Sequence, residues 1–181
     1  MCSRRWPLRL ETRRERSQGG VRREKARIMD HKTLVHHAVR QLRSWGCRPV
    51  VSELVTCNST GEIPDAIGWT CRASILFECK VSRADFSRDR GKLFRFDLPD
   101  HGMGDWRFYL TNPGVVRSAD ELPPGWGCYE IAEGGDKKIR LLHKFGIKYR
   151  WTEPSPLRGN KDNEITMLRS IIRRFVNVCT P

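Results

Sequence analysis

Two carboxylates and one lysine lie within two short, apolar runs of the sequence, residues 63–69 (IPDAIGW) and 74–81 (SILFECKV). They are Asp65, Glu78 and Lys80. Runs of this length and composition are typical of β-strands, whose interiors are depleted in Asp, Glu and Lys. Charged side chains at such positions indicate a functional site. The kind of site depends on how the strands that carry these side chains pair with one another.

The two runs are predicted to form a hairpin around a four-residue loop, residues 70–73. In that register Asp65 faces Glu78, with opposed Cβ atoms about 4.5–5.5 Å apart. A preceding run, residues 49–55, is expected to pair with the same strand and to place Glu53 opposite Asp65. A slip of one residue would send these side chains to opposite faces, so the expectation depends on the loop length.

Carboxylates this close do not stay ionised together without compensation, which a divalent cation supplies. Mg²⁺ prefers oxygen ligands and binds through one or two carboxylates plus substrate phosphate. Because side chains alternate along a strand, Lys80 shares a face with Glu78, whereas Cys79 points into the core. Lys80 is then placed to hold or deprotonate a water, or to offset phosphate charge. These residues predict phosphodiester hydrolysis; the alternative is a surface hairpin with a plain carboxylate–lysine ion pair.

The predicted elements follow the order α-β-β-β-α-β-β-β-α, which favours an α/β fold with a mixed sheet flanked by helices. Asp30 is the expected cap of a first helix over residues 31–45. Ser82 and Asp85 form an S-x-x-D capping box for a second helix that runs to about residue 96. The other predicted elements are strands at 106–111, 128–132 and 138–143 and a terminal helix at 164–178.

The dipeptide Pro64-Asp65, followed by Glu78-Cys79-Lys80, resembles the PD-(D/E)XK signature of the restriction-endonuclease-like nucleases. The run ECKVSRADFSRD is also similar to the MmcB-like DNA repair proteins and to related small phage and bacterial proteins of that superfamily. The resemblance covers about residues 31–145. It implies a restriction-endonuclease-like core with the element order α-β-β-β-α-β.

The resemblance also implies roles for individual residues. Asp65 and Glu78 would bind Mg²⁺, for which Mn²⁺ is able to substitute, and Lys80 would serve the attacking water. Glu53 matches an extra acidic residue that often joins this site, and the backbone carbonyl of Cys79 would be a further metal ligand. The implied function is a metal-dependent DNA endonuclease in DNA repair or in phage or bacterial DNA processing. The alternative is a DNA- or RNA-binding module of the same fold with little or no cleavage.

The predicted second helix is rich in basic residues. Arg83, Arg88 and Lys92 are expected to position DNA phosphates. The alternative is a solvated helix face whose arginines pair with neighbouring aspartates. Both interpretations extend to two more arginines of the same stretch, Arg90 and Arg95, although the first three residues are favoured.

The chain of 181 residues carries a formal net charge of +13, which favours nucleic acid as a partner. Residues 1–28 hold nine Arg and one Lys against three Glu, and are expected to form a basic, flexible arm. DNA is the expected partner, with RNA as an alternative through this arm. Residues 29–181 are expected to form one nuclease-like domain, as a monomer or a homodimer.

The other chemistry-bearing residues do not indicate another class of site. The seven cysteines form no C-x-x-C pair, which argues against zinc or a disulfide framework and favours a reducing cytoplasm. The resemblance implies that this is the cytoplasm of a bacterial or phage-infected cell. No run approaches the ~18 apolar residues of a membrane span, so no membrane partner is expected. His31, His36 and His37 have no carboxylate partner that the spacing supplies, and are expected to be helix caps or surface residues.

Overall fold

The computed structural model describes residues 28–132, 139–143 and 155–179, so most of the predicted arm at 1–28 lies outside the described residues. The strands are β1 (Val50–Ser52), β2 (Ala66–Trp69), β3 (Ser74–Lys80), β4 (Trp106–Thr111), β5 (Trp126–Ile131) and β6 (Ile139–His143). The helices are α1 (His31–Ser44), α2 (Arg83–Asp89), α3 (Leu93–Phe96) and α4 (Lys161–Cys179). In these ranges no helix is both long and apolar enough to cross a membrane.

The six strands form one mixed sheet, in the order β1-β2-β3-β4-β5-β6. β1, β2 and β3 are antiparallel, β3, β4 and β5 are parallel, and β6 returns antiparallel to β5. Parallel neighbours require a crossover, and α2 and α3 lie in the crossover between β3 and β4. The prediction of an α/β fold with a mixed sheet flanked by helices is confirmed.

The predicted strand register is also confirmed. Ala66 of β2 lies opposite Phe77 of β3, and Ser52 of β1 lies opposite Ala66. One residue further along these registers, Asp65 lies opposite Glu78 and Glu53 lies opposite Asp65. Asp65 and Glu53 themselves lie one residue outside the paired segments. Asp65 and Glu53 therefore lie at the ends of β2 and β1, whereas Glu78 lies within β3.

Alternation of side chains gives the sheet two apolar faces. α1 packs on one face, where the Trp45 and Phe77 rings stack with centroids 5.4 Å apart. Phe86 of α2 and Met167 of α4 are fully buried in the apolar cluster on the opposite face. α4 therefore closes the core of its own chain.

The basic stretch after β3 forms two helices instead of one. α2 begins at its predicted cap, where Ser82 Oγ accepts a hydrogen bond from the Asp85 N–H at 3.2 Å. It ends at Asp89, and a turn through Gly91, a poor helix former, separates it from α3. The prediction of one continuous helix is therefore wrong. The turn directs Arg95 of α3 into the core, where its side chain is fully buried.

The other two helices begin at side-chain caps. Asp30 accepts a hydrogen bond from the Thr33 N–H at 2.8 Å at the start of α1, as predicted. α4 begins before the predicted residue 164, because Asn160 Oδ1 accepts a hydrogen bond from the Asn163 N–H at 3.0 Å.

Candidate active site

Asp65 lies where the β2–β3 ladder ends. Its Oδ2 accepts a hydrogen bond from the Cys79 N–H at 2.6 Å. In this register Pro64 lies opposite Cys79 and has no N–H to donate to the Cys79 carbonyl, while the Asp65 carboxylate accepts from the Cys79 N–H in place of a backbone carbonyl. The N–H and C=O of a strand residue point to the same side, so the Cys79 carbonyl faces the edge that carries Asp65.

Glu78 and Lys80 project from β3 on the face opposite Cys79, whose side chain is fully buried on the α1 side. Lys80 Nζ lies 3.1 Å from Glu78 Oε2 and 3.2 Å from Asp89 Oδ1. Burial alone would lower the pKa of Lys80, but the nearby carboxylates, Glu78 first and then Asp89, raise that pKa above its usual range. Lys80 is thus a fixed cation, suited to donating hydrogen bonds to water or phosphate and poorly suited to removing a proton.

Two carboxylates converge at this edge, as the sequence predicted. The pKa of Asp65 rises to about 6, first because the carboxyl is buried and second because the Glu78 carboxylate is close. The Cys79 N–H and the Lys80 ammonium lower the Asp65 pKa without cancelling the rise. A positive ion beside Asp65 would relieve this repulsion.

Sequence reasoning missed a buried ionic cluster around Glu78. The fully buried guanidinium of Arg95 contacts three carboxylates, Glu62 at 3.2 Å, Glu78 at 3.0 Å and Asp89 at 2.8 Å. Its Cζ also lies 4.6 Å from the centre of the Trp126 ring. Arg95 is therefore a core residue that neutralises buried carboxylates, and it is unavailable to a DNA phosphate.

Asp89 joins this cluster to Lys80. Its carboxylate accepts hydrogen bonds from Arg95 Nε and the Tyr109 hydroxyl, both at 2.8 Å, and lies 2.7 Å from Lys92 Nζ. Burial would raise the pKa of Asp89, but Arg95 and Lys80 hold it well below its usual range. Asp89 is a permanent anion that fixes the position of the Lys80 ammonium.

The charge of Glu78 is compensated from within the chain. Its Oε2 faces Lys80, and its Oε1 lies 3.0 Å from Arg95 Nη2. The Oε1 contact does not have hydrogen-bond geometry, and this buried oxygen has no hydrogen-bond partner among the described residues. A metal was expected to compensate the charge of this carboxylate, whereas two side-chain cations already compensate part of it.

His31 connects Glu53 to Asp65. Its Nε2 lies 3.3 Å from Glu53 Oε1 and 3.5 Å from Asp65 Oδ1. The expectation that the α1 histidines lack a carboxylate partner is therefore wrong for His31, which the capped start of α1 brings to the end of the sheet. Glu53 has a φ of +49°, in the left-handed region that non-glycine residues rarely adopt and that recurs at functional sites.

The three basic residues that were expected to contact DNA differ in their surroundings. Arg83 donates two hydrogen bonds to the Glu121 carboxylate, both at 2.6 Å, so a phosphate contact would have to break this ion pair. Lys92 is paired with Asp89 but remains partly exposed. Arg88 is exposed and has no ion pair in the described part of the chain. Of the three residues, Arg88 and Lys92 are thus better placed than Arg83 to contact a DNA phosphate.

The predicted metal ligands offer oxygen atoms only, from the carboxylates of Asp65, Glu78 and Glu53 and from the Cys79 carbonyl. In the ranges that the structure describes, no three or more His, Cys, Asp and Glu side chains are grouped so as to hold a metal by themselves. Mg²⁺ does not need such a group, since it binds through one or two carboxylates and completes its shell with water and phosphate oxygens. The donor types and the repulsion at Asp65 therefore fit Mg²⁺ or Mn²⁺.

Comparisons with known proteins bear on the fold. No family model matches the chain, and no curated protein matches it. The solved structure of a protein of unknown function from Silicibacter pomeroyi is similar, with a TM-score of 0.50 and 22% identity, covering 80% of this chain and 88% of that chain. At this identity the similarity concerns the fold alone, and the two proteins share an α/β architecture.

Proposed function

We propose that the protein is a metal-dependent DNA endonuclease with a restriction-endonuclease-like core. The proposal rests on the convergence of Asp65, Glu78 and Lys80 at one end of the β2–β3 hairpin, in the order and register of the PD-(D/E)XK signature. The Asp65 pKa near 6 supports it, because the carboxylates are crowded as a cation site requires.

Asp65, Glu78 and the Cys79 carbonyl would hold the ion. When bound, Mg²⁺ or Mn²⁺ would supply Lewis-acid stabilisation of the phosphate and a more acidic water. The Lys80 ammonium would donate hydrogen bonds to the attacking water or to a phosphate oxygen. It would so offset the negative charge that develops on the phosphate as the water oxygen bonds to phosphorus and the bond to the leaving oxygen breaks. Asp89 keeps the ammonium in place.

DNA is the proposed substrate because the chain is strongly basic, with a net charge of +13. Lys92 contacts Asp89 of the ionic cluster and is partly exposed, and Arg88 is exposed on α2; both would neutralise phosphates of a bound strand. DNA repair, or phage or bacterial DNA processing, is the proposed setting, on the resemblance alone.

Plasmid nicking tests this function. Supercoiled plasmid is incubated with wild-type protein, Glu78→Gln and Lys80→Met in Mg²⁺, Mn²⁺ or EDTA. We expect metal-dependent nicking by the wild type. Both variants should nick at least about 100-fold more slowly than the wild type, since loss of one charge-stabilising group lowers the rate by about 10²–10³. Lys161→Met is the matched control, because Lys161 is also paired with carboxylates, Asp105 and Glu164, elsewhere in the fold.

Nicking that is equal in Glu78→Gln, Lys80→Met and the wild type would contradict the proposed site. So would an intact plasmid with wild-type protein in every metal.

A nucleic-acid-binding module is the second candidate, and the internal compensation of Glu78 favours it. Lys80 and Arg95 balance this carboxylate without any bound ion. A module of this kind would shift DNA or RNA on a gel in EDTA and leave plasmid intact in Mn²⁺. Competition between duplex DNA, single strands and RNA would identify its ligand.

A further inference from the structure

The segment that contains α3 exposes an unusual density of apolar side chains. Leu93 is 56% exposed, Phe96 36% and Leu98 40%. These are three of the eight large apolar residues that are exposed in the described part of the chain, and they lie within six residues. Isolated exposed apolar residues need no explanation, but a cluster of them indicates a contact surface.

Cations accompany these apolar side chains. The Arg90 guanidinium lies over the Phe96 ring, with Cζ 5.2 Å from the ring centre. Arg88 and Arg90 are both exposed, and neither has an ion pair in the described part of the chain. One exposed carboxylate, Asp97, follows Phe96. Four exposed side chains within residues 88–96 thus combine an aromatic ring with positive charge, and we call them the cation–aromatic surface: Arg88, Arg90, Leu93 and Phe96.

This cation–aromatic surface adjoins the candidate active site. Lys92, which lies between Arg90 and Leu93, places its Nζ 2.7 Å from Asp89 Oδ1. The same Asp89 oxygen lies 3.2 Å from the Nζ of Lys80. A strand whose phosphate reached Lys80 would therefore pass next to this surface.

We propose that the Arg90–Phe96 pair, with Arg88 and Leu93 beside it, binds an unpaired nucleotide of the DNA strand next to the bond that is cut. The inference rests on the proposed function, and it defines the substrate class as DNA with a single-stranded segment beside the scissile phosphate. Fully paired duplex is a weaker ligand for this surface.

The chemistry of the surface selects this ligand. A base presents a flat face that stacks on an aromatic ring or a guanidinium plane, and its phosphate pairs with an exposed arginine. In a duplex the base faces are stacked on one another and only phosphates remain accessible, so Phe96 and Leu93 would contribute little. An aromatic side chain within a group of arginines therefore indicates an unpaired nucleotide, whereas cations alone would indicate only a backbone.

Fluorescence anisotropy in EDTA measures this binding without cleavage. Three labelled DNAs of related sequence are compared: a single strand, a blunt duplex, and a duplex with a single-stranded overhang. The full-length variants are Phe96→Ala, Phe96→Tyr and Arg90→Gln, each checked for wild-type circular dichroism. Ile165→Ala and Arg43→Gln are matched controls, because these side chains are exposed on α4 and at the far end of α1 from His31.

Phe96→Ala is expected to weaken binding of the single strand and the overhang roughly 5- to 150-fold, the range for loss of one stacked base. Binding of blunt duplex is expected to change by less than about twofold. Phe96→Tyr keeps a stacking ring and should bind like the wild type, whereas Arg90→Gln should weaken single-strand binding. Both controls should match the wild type.

The proposal is overturned if Phe96→Ala binds the single strand as tightly as the wild type does, or if it loses equal affinity for blunt duplex. An unchanged single-strand affinity together with altered sedimentation would assign this surface to a protein contact instead. Because the assay contains no metal, its outcome is independent of nicking. If the wild type never nicks plasmid but Phe96→Ala still binds single strands more weakly, the proposed nuclease activity is refuted. The proposed nucleotide-binding role of this surface is then still supported.

Discussion

Asp65 carries a charge that the folded protein disfavours, and this has a measurable consequence for stability. Its pKa is about 6 in the folded chain, against 3.8 for a free side chain. Below pH 4 both states are protonated and the carboxyl has no effect. Between pH 4 and 6 the unfolded chain ionises first, so the free energy of unfolding falls as pH rises. Above pH 6 the carboxyl is ionised in both states, and its ionisation lowers the free energy of unfolding by about 1–3 kcal/mol.

Asp65→Asn removes this penalty. In EDTA the variant is expected to exceed the wild type in free energy of unfolding at pH 8 and to lose that advantage at pH 4. Urea denaturation at the two pH values measures the difference. A variant whose relative stability does not depend on pH would show that Asp65 ionises normally and that Glu78 is not close enough to perturb it.

Arg95 neutralises carboxylates that have no access to water. Arg95→Met keeps much of the volume but leaves Glu62, Glu78 and Asp89 short of one positive charge, and loss of one partner of a buried ion pair costs about 3–5 kcal/mol. We expect a loss of that size in urea denaturation. Arg88→Met, on the exposed side of the same stretch, should change stability by less than about 0.5 kcal/mol. Similar values for the two variants would contradict the assigned role of Arg95.

Local spacing predicts some site residues and not others. Asp65, Glu78 and Lys80 belong to one hairpin, so a loop length and the alternation of side chains suffice to bring them together. His31 reaches Asp65 from another element, and Arg95 reaches Glu62 across 33 residues of sequence. No local pattern separates Arg95 from the exposed arginines before it, because its burial depends on the turn at Gly91.

α2 depends on the cap that the sequence indicates. Ser82→Ala removes the acceptor for the Asp85 N–H and is expected to cost about 0.5–2 kcal/mol in free energy of unfolding. Ser82→Thr keeps a hydroxyl and should stay close to the wild type. Equal losses for the two variants would mean that the hydroxyl does not stabilise the helix. Since α2 carries Asp89, the cap also supports the position of Lys80.

Strands were predicted more accurately than the helix after them. β4 spans the predicted residues, and the two hairpin registers follow from the assumed loop lengths, although β1 and β2 are shorter than the predicted strands at 49–55 and 63–69. A glycine within an amphipathic stretch does not by itself end a helix, so the break at Gly91 was not predictable from its local sequence. The early start of α4 is explained by Asn160, an N-cap residue that is not part of the predicted helix.

The two ends of the sheet differ in how their polar groups are satisfied. At the end away from Asp65, Glu164 of α4 accepts hydrogen bonds from Trp69 Nε1 at 3.1 Å, Ser74 Oγ at 2.8 Å and the Gly104 N–H at 2.9 Å. These bonds fasten α4 to the sheet. The end with Asp65 instead crowds two carboxylates against each other. The two ends of the sheet therefore differ in that hydrogen bonds satisfy the polar groups at one end, whereas carboxylates repel each other at the other end.

The accessibility of the cysteines to alkylation tests the packing of the core across the whole molecule. Cys47, Cys79 and Cys128 are buried, and burial raises the pKa of Cys47 to about 11 and that of Cys128 to about 12. Cys57 and Cys71 are exposed. Of these five, iodoacetamide at pH 8 should modify only the exposed pair in the native protein and all five in urea. Peptide mass spectrometry resolves each site, and rapid native labelling of Cys79 would contradict the described packing of β3.

The nuclease proposal is tested most directly by the rate of plasmid nicking under single-turnover conditions in Mn²⁺, with wild type, Asp65→Asn and Asp100→Asn compared. Asp100 is an exposed carboxylate outside the ionic cluster, so its variant controls for the loss of one negative charge. We expect the wild type and Asp100→Asn to nick at similar rates and Asp65→Asn to be at least about 100-fold slower. Equal rates for all three proteins, or no nicking by the wild type, would contradict the account.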